Sequence, residues 1–126
     1  MDQPIHTLPV LVVDDSQTMR SIVAQLLGNL GFSDIDEATD GGAALERLRA
    51  RQYALMISDW EMQPMSGDQL IKAVRQDPKC AKLPVIMITA TGTRGASWLA
   101  GANAYLPKPF TEGDLLKAIK SVFGSR

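Results

Sequence analysis

The chain has 126 residues, 45% of them hydrophobic and 21% charged, with a formal net charge of −1. That suits one globular domain able to bury roughly two-thirds of its unfolded surface, and no bulk charge draws it to nucleic acid or an anionic membrane. Cys80 is the only cysteine and His6 the only histidine, which excludes an internal disulfide and a Cys/His zinc site. No apolar run approaches the ~20 residues of a membrane span, and residues 1–6 lack the basic and apolar regions of a signal peptide, so the cytoplasm is the expected location.

Leu8-Pro9-Val10-Leu11-Val12-Val13 reads as a first strand ending in Asp14-Asp15. Ser16 is placed to cap a helix whose apolar residues Met19, Ile22, Val23, Leu26, Leu27 and Leu30 fall at steps of three and four, and Gly31 to stop it. A short, more polar strand carries Ile35 and Ala38 and belongs near a sheet edge. Asp40-Gly41-Gly42 opens a second helix with Ala44, Leu45 and Leu48 inward; Arg47, Arg49 and Arg51 around its end read as a solvated face with a favourable helix-dipole contribution.

The apolar run Leu55-Met56-Ile57-Ser58 ends abruptly in Asp59. Such a run suits a strand buried on both faces of a parallel sheet. Ser66 caps a third helix (Leu70, Ile71 and Val74 inward) that Asp77-Pro78 ends. Pro84-Val85-Ile86-Met87-Ile88 is a fourth strand closing in Thr89-Ala90. A weak, short helix is expected across 96–101, then a fifth strand at Ala104-Tyr105-Leu106 before Pro107-Lys108-Pro109-Phe110. Thr111 and Asp114 form a capping-box pattern for a last helix with Leu115, Leu116, Ile119, Val122 and Phe123 inward. Five alternations with short connections predict an α/β fold: a five-stranded parallel sheet, flavodoxin-like and doubly wound in order 2-1-3-4-5, with five helices of which the fourth is short.

In that order strands one and three are neighbours, about 4.8 Å apart. Asp14, Asp15 and Asp59 then crowd one crevice at the carboxyl ends of the strands, where open α/β sheets place ligands. Two like charges at 4 Å repel by about 1 kcal/mol in water and about 4 at an effective dielectric of 20. An oxygen-only cluster of this kind favours Mg²⁺ or Mn²⁺. Thr89 and Lys108 end or follow strands on the same rim, and a hydroxyl and an ammonium facing a carboxylate–metal centre suit a phosphoryl group. Each piece alone has a plain reading: a cap, a turn residue, a surface lysine. Asp59 itself could merely cap a turn. Together, with no histidine nearby to serve as a base, they favour Asp59 as a nucleophile forming an acyl phosphate.

At Val12-Val13-Asp14-Asp15, Ile57-Ser58-Asp59-Trp60, Ile88-Thr89-Ala90 and Lys108-Pro109-Phe110 the chain resembles the receiver domains of two-component response regulators, over about residues 8–124. Asp14-Asp15-Ser16-Gln17-Thr18-Met19-Arg20 and Ser58-Asp59-Trp60-Glu61-Met62 look most like the single-domain chemotaxis regulators. The resemblance implies that Asp59 accepts a phosphoryl group from a phosphohistidine on a sensor histidine kinase or histidine phosphotransfer protein. It implies that Asp15 and Asp59 bind Mg²⁺ directly with the backbone carbonyl of Glu61, and that Asp14 acts mainly through bound water. Thr89 and Lys108 would hold phosphoryl oxygens. Tyr105 would be the aromatic switch coupled to Thr89, and the Lys108–Pro109 peptide would be cis. The output face would be the fourth helix, fifth strand and last helix, contacting a flagellar motor component or another signalling protein.

Residues 1–126 are expected to be one receiver domain with no output domain, acting by binding rather than as an enzyme beyond its own phosphorylation and dephosphorylation. A phosphorelay shuttle or phosphate sink would look similar. Two rivals were weighed. An aspartyl-phosphate hydrolase of the haloacid-dehalogenase type would place its nucleophile on the first strand, not the third. A pseudo-receiver that docks partners without phosphorylation would have no use for the full acidic set and Lys108. The sequence departs from the common receiver pattern in three places: only 19 positions separate Thr89 from Lys108, Glu61 stands two places after Asp59, and proline is at 64 rather than one place earlier. The first predicts a shortened fourth helix and fast amide exchange across 91–101. Trp60, beside the acceptor, is a candidate fluorescent reporter of Mg²⁺.

Overall fold

The computed structural model of the chain describes residues 5–90 and 101–123. A 3-10 turn at Ile5–Thr7 leads into β1 (Val10–Val13), α1 (Gln17–Asn29), β2 (Ile35–Ala38), α2 (Gly41–Ala50), β3 (Leu55–Asp59), α3 (Gly67–Gln76), β4 (Val85–Thr89), β5 (Ala104–Pro107) and α4 (Glu112–Phe123). All strands are parallel, in the order β2-β1-β3-β4-β5. This is the expected doubly wound sheet. Four α-helices stand among the described residues; the short helix expected at 96–101, and the exchange behaviour expected across 91–101, fall outside them except for Gly101.

Strand alternation divides the core in two. Leu11, Val13, Met56, Val85 and Met87 point to one face, where α2 and α3 cover them with Ala44, Leu48, Leu70, Ile71 and Val74. Val10, Val12, Leu55, Ile57, Ile86 and Ile88 point to the other, under Val23 and Leu27 of α1 and Leu115 and Ile119 of α4. Every residue of β1, β3 and β4 is buried, as strands covered on both faces must be. Each fully buried Leu, Ile, Val or Met side chain contributes about 1.5–3 kcal/mol.

Local signals set the helix ends. Ser16 Oγ accepts from the Met19 amide, and Asp40 Oδ1 from the Ala43 amide. Ser66 and Gln69 form a reciprocal capping box, as do Thr111 and Asp114. Gly31 sits just past α1 at φ +102°, a left-handed position that favours glycine. His6 packs edge-on against Phe32, with ring centroids 5.7 Å apart. That is the end of the sheet opposite Asp14, so the lone histidine takes no part in the acidic crevice.

Two sequence expectations change. The apolar stripe of α1 is narrower than its spacing implies: Val23 and Leu27 are fully buried, whereas Ile22 is 43% exposed. We expect Ile22→Gln to change stability by no more than about 0.5 kcal/mol, against a loss of about 2 kcal/mol for Val23→Ala, both measured by urea unfolding. Nor are the arginines around the end of α2 simply a solvated face. Arg51 pairs with Asp34 and Asp36, and Arg47 Nε donates to the Glu37 carbonyl at 3.0 Å. They clasp the edge strand β2, whose acidic side chains supply partners that no helical periodicity reveals.

Candidate phosphoryl-acceptor site

The sheet itself assembles the site. Val13 of β1 is in register with Ser58 of β3, so the next residues, Asp14 and Asp59, leave the sheet side by side. One oxygen from each of Asp14, Asp15 and Asp59 lies within 4.8 Å of the others. Asp14 and Asp59 are buried, at 2% and 4% exposure, while Asp15 is exposed. The Asp59 main chain is continued by the Trp60 amide, which donates to the Ile88 carbonyl of β4 at 2.8 Å. Thr89, buried at the end of β4, is in register with Pro107 of β5, and the Lys108 amide donates to the Thr89 carbonyl at 2.8 Å. That fold of the chain returns the Lys108 ammonium to 3.1 Å from Asp59 Oδ1, as an ion pair.

The acidic cluster is electrostatically strained. Burial is the main cause that pushes the Asp14 carboxyl up to about 6 from its ordinary 3.8; the Ser16 amide, donating to Oδ1 at 2.9 Å, partly opposes this, while the nearby charge of Asp59 adds to it. Asp59 is also raised, first by burial, against the opposing effect of Lys108, with Glu61 and Asp15 adding repulsion. So Glu61, although exposed, acts on the acceptor as a neighbouring negative charge. Asp14 Oδ2 is buried and finds no hydrogen-bond partner among the described residues. A buried orphan oxygen, in a cluster of three carboxylates, is the donor set of a hard divalent cation. The residues therefore fit Mg²⁺ or Mn²⁺, with Asp14, Asp15 and Asp59 as the oxygen donors in reach.

Asp14, Asp15, Asp59 and Lys108 thus come together as the sequence suggests, with Thr89 on the adjoining strand end. Tyr105 lies half-buried on β5, two residues before Pro107, and packs against the α2–α3 side of the core; burial raises its phenol pKa. Both the Lys108–Pro109 and Gln63–Pro64 peptides are cis, the first as the family resemblance implies. Trp60 is only partly exposed and packs against the core beside the acceptor.

Three residues around the site, and one at the opposite end of the sheet, escape sequence reasoning. Arg20 Nη1 donates to the Asp14 carbonyl at 2.9 Å while its Nε meets Glu37 Oε1 at 3.2 Å. The Gln63 amide donates to Asp15 Oδ2 at 3.2 Å, tying the loop after Asp59 to the cluster. Gly67, at the start of α3, abuts the acceptor main chain, and its amide donates to the Trp60 carbonyl at 2.8 Å. Arg75, at the far end of α3, donates to the carbonyls of Ala81, Leu83 and Gly101 and to Asn103 Oδ1, joining α3 to the starts of β4 and β5. Only Gly67 leaves a trace in the sequence, as a glycine directly after a capping serine.

Known proteins are similar to this chain in sequence and in fold. The response regulator receiver domain family matches residues 10–120 of the chain. Chemotaxis protein CheY of Pseudomonas aeruginosa is 40% identical over 119 residues, 92% of this chain and 96% of that protein. Chemotaxis protein CheY-3 of Vibrio cholerae is 40% identical over 119 residues, with 92% of each covered. The crystal structure of chemotaxis protein CheY4 of Vibrio cholerae superposes with a TM-score of 0.83 at 32% identity, covering 92% of this chain and 98% of that one. Five parallel strands in the doubly wound order, an acidic cluster at the ends of β1 and β3 and a lysine reaching the β3 aspartate place this chain in the response regulator receiver domain family.

Proposed function

We propose that Asp59 accepts a phosphoryl group from a phosphohistidine on a sensor histidine kinase or histidine phosphotransfer protein, and that the aspartyl phosphate changes how the chain binds a downstream protein. The observation that carries this reading is the Lys108 ammonium 3.1 Å from Asp59 Oδ1, beside the Asp14–Asp15 pair. An Asp59 oxygen attacks phosphorus and an O–P bond forms. The P–N bond of the donor breaks, and its electron pair leaves with the imidazole, which takes up a proton. Lys108 holds one phosphoryl oxygen and Thr89 another, and Asp14 keeps its negative charge close to the metal-binding oxygens. Asp15, Asp59 and the Glu61 carbonyl would hold Mg²⁺ (or Mn²⁺), with Asp14 acting through water, and the cation would supply charge to offset that of the phosphoryl oxygens.

Phosphorylation adds about −1.5 to −2 charge. Drawing Thr89 towards it biases Tyr105 on the neighbouring strand, which passes the change to the face around β5 and α4. The chain spans nearly the full length of its chemotaxis relatives, which supports one receiver unit whose target is a flagellar motor component or a similar signalling protein in the cytoplasm. Its catalysis is confined to its own phosphorylation and dephosphorylation. No helix among the described residues is long and apolar enough to cross a membrane.

The test is intact-mass spectrometry after incubation with a small acyl-phosphate donor. We expect one phosphoryl adduct with Mg²⁺ and none with a chelator. No adduct with any donor or kinase would overturn the reading, and steady turnover of a generic phosphomonoester without labelling would replace it with hydrolysis.

A further inference from the structure

Asp14 is held from three directions, two on its main chain and one on its side chain. Its amide donates to the Ala38 carbonyl of β2 at 3.2 Å. Its carbonyl accepts from Arg20 Nη1 at 2.9 Å, and its Oδ1 accepts from the Ser16 amide at 2.9 Å. Only Oδ2 is left without a partner among the described residues. The amide contact comes from the sheet ladder and the Oδ1 contact from the turn into α1. The Arg20 contact is different, because a side chain supplies it.

Arg20 is the fourth residue of α1, within its first turn, where the helix dipole disfavours a cation; no acidic residue occupies that turn. Its side chain is nevertheless only 13% exposed, and its guanidinium is fixed by its fork, with Nε on Glu37 Oε1 at 3.2 Å and Nη1 on the Asp14 carbonyl. Glu37 is itself gripped, since its carbonyl accepts from Arg47 Nε at 3.0 Å. A brace therefore runs from α2 through the end of β2 to Arg20 and into the Asp14 peptide. Arg20 meets the Asp14 main-chain carbonyl and not its carboxylate. What Arg20 fixes is the direction in which the peptide, and so the carboxylate, points.

Resting on the proposed magnesium site, we infer that Arg20, oriented by Glu37, is a positioning residue that aims Asp14 Oδ2 into the divalent-cation site. Charge and position predict opposite signs. Deleting a cation near an acidic cluster favours Mg²⁺ electrostatically, whereas releasing the Asp14 peptide weakens it. Outer partners of metal sites typically change affinity 10–100-fold when removed.

The test is calorimetric Mg²⁺ titration of the whole chain as wild type, Arg20→Ala, Arg20→Lys and Glu37→Gln, with melting in chelator alongside. We expect Arg20→Ala to bind Mg²⁺ about tenfold more weakly while still melting cooperatively. Arg20→Lys keeps the charge but loses the fork, and is expected to fall between Arg20→Ala and wild type. Arg20→Ala combined with Glu37→Gln should be no weaker than Arg20→Ala alone, because Glu37 acts through Arg20. In the metal-free protein, the Ser16 amide resonance should shift in Arg20→Ala while those of Val23 and Leu27 stay in place. Wild-type or tighter Mg²⁺ binding in both Arg20 variants overturns the inference, and so does a combined variant clearly weaker than the single one. Should Arg20→Ala not fold, Arg20→Lys decides alone. Failure of the wild-type protein to bind Mg²⁺ would instead overturn the metal site itself.

Discussion

Asp59→Asn is expected to take up no phosphoryl group and, in chelator, to melt at a higher temperature than the wild-type protein; Asp14→Asn should share the second effect. Both carboxylates are buried, and burial raises their pKa values more than their partners lower them. The sign follows from proton binding. Between 3.8 and about 6 the unfolded chain gives up the Asp14 proton and the folded protein keeps it. Folding stability therefore falls as pH rises through that window, and the full cost stands above pH 6. A shift of about two units corresponds to about 2–3 kcal/mol. For a domain of this size that is on the order of 5–15 °C in Tm. Scanning calorimetry between pH 4 and 8 in chelator checks it. The wild-type curve should decline towards neutral pH, and the Asp14→Asn curve should be flatter and higher. Saturating Mg²⁺ should narrow the gap by stabilising the wild type through mass action. A wild-type protein equally stable at pH 4.5 and 7 in chelator, or an Asp14→Asn protein less stable than wild type at pH 7, would refute the electrostatic account.

The second large effect is at Gly67. A Cβ there would stand 2.7 Å from the Asp59 carbonyl oxygen, 2.8 Å from the Trp60 Cα and 2.9 Å from Met87 Sδ. Two of these are main-chain atoms of the acceptor segment and cannot rotate away. Gly67→Ala gains about 1 kcal/mol of helix propensity, yet must push α3 off the end of β3. Overpacking of this kind costs about 1–3 kcal/mol, occasionally more, and backbone contacts on two sides place it at the upper end. We expect a net loss of about 2 kcal/mol or more in urea unfolding, together with weaker Mg²⁺ binding as the Asp59 main chain shifts. Gly28→Ala is the control. It lies in α1 with nothing within 4 Å of the added methyl group, and should stabilise by about 0.5–1 kcal/mol. Equal effects at the two glycines would show that close approach at Gly67 is not what excludes a side chain.

The acceptor, the acidic pair and Lys108 are legible in the sequence because each stands at the end of an apolar run. Strand order alone then brings them together. Burial of these strands on both faces was legible for the same reason, from unbroken apolar runs such as Val10–Val13 and Val85–Ile88. What stayed hidden is the set of contacts in which a side chain reaches a main-chain carbonyl. Arg20 on Asp14 and Arg75 on Ala81, Leu83 and Gly101 use acceptors that every residue carries, so nothing in the amino-acid order marks them. Ile22 was misplaced because helical spacing gives the direction of an apolar stripe but not the breadth of the surface that covers it. Arg47 and Arg51 are exposed around the end of α2 as expected, but their partners were hidden because they lie across a turn of the chain, on β2 and just before it.

The bond from the Lys108 amide to the Thr89 carbonyl has a consequence for how this architecture can vary. It pins Thr89 and Lys108 to each other across the β4–β5 edge, so their separation in space is set by sheet register and not by the count of residues between them. Changes of length between the end of β4 and the start of β5 leave that pairing in place, because the register of β4 with β5 sets it. A lineage can therefore lengthen or trim the connection between β4 and β5 while Thr89 and Lys108 keep their pairing, and the 19-position interval here is one such length. For an engineer, the same decoupling marks the interval as the place to graft new specificity without retuning the acceptor.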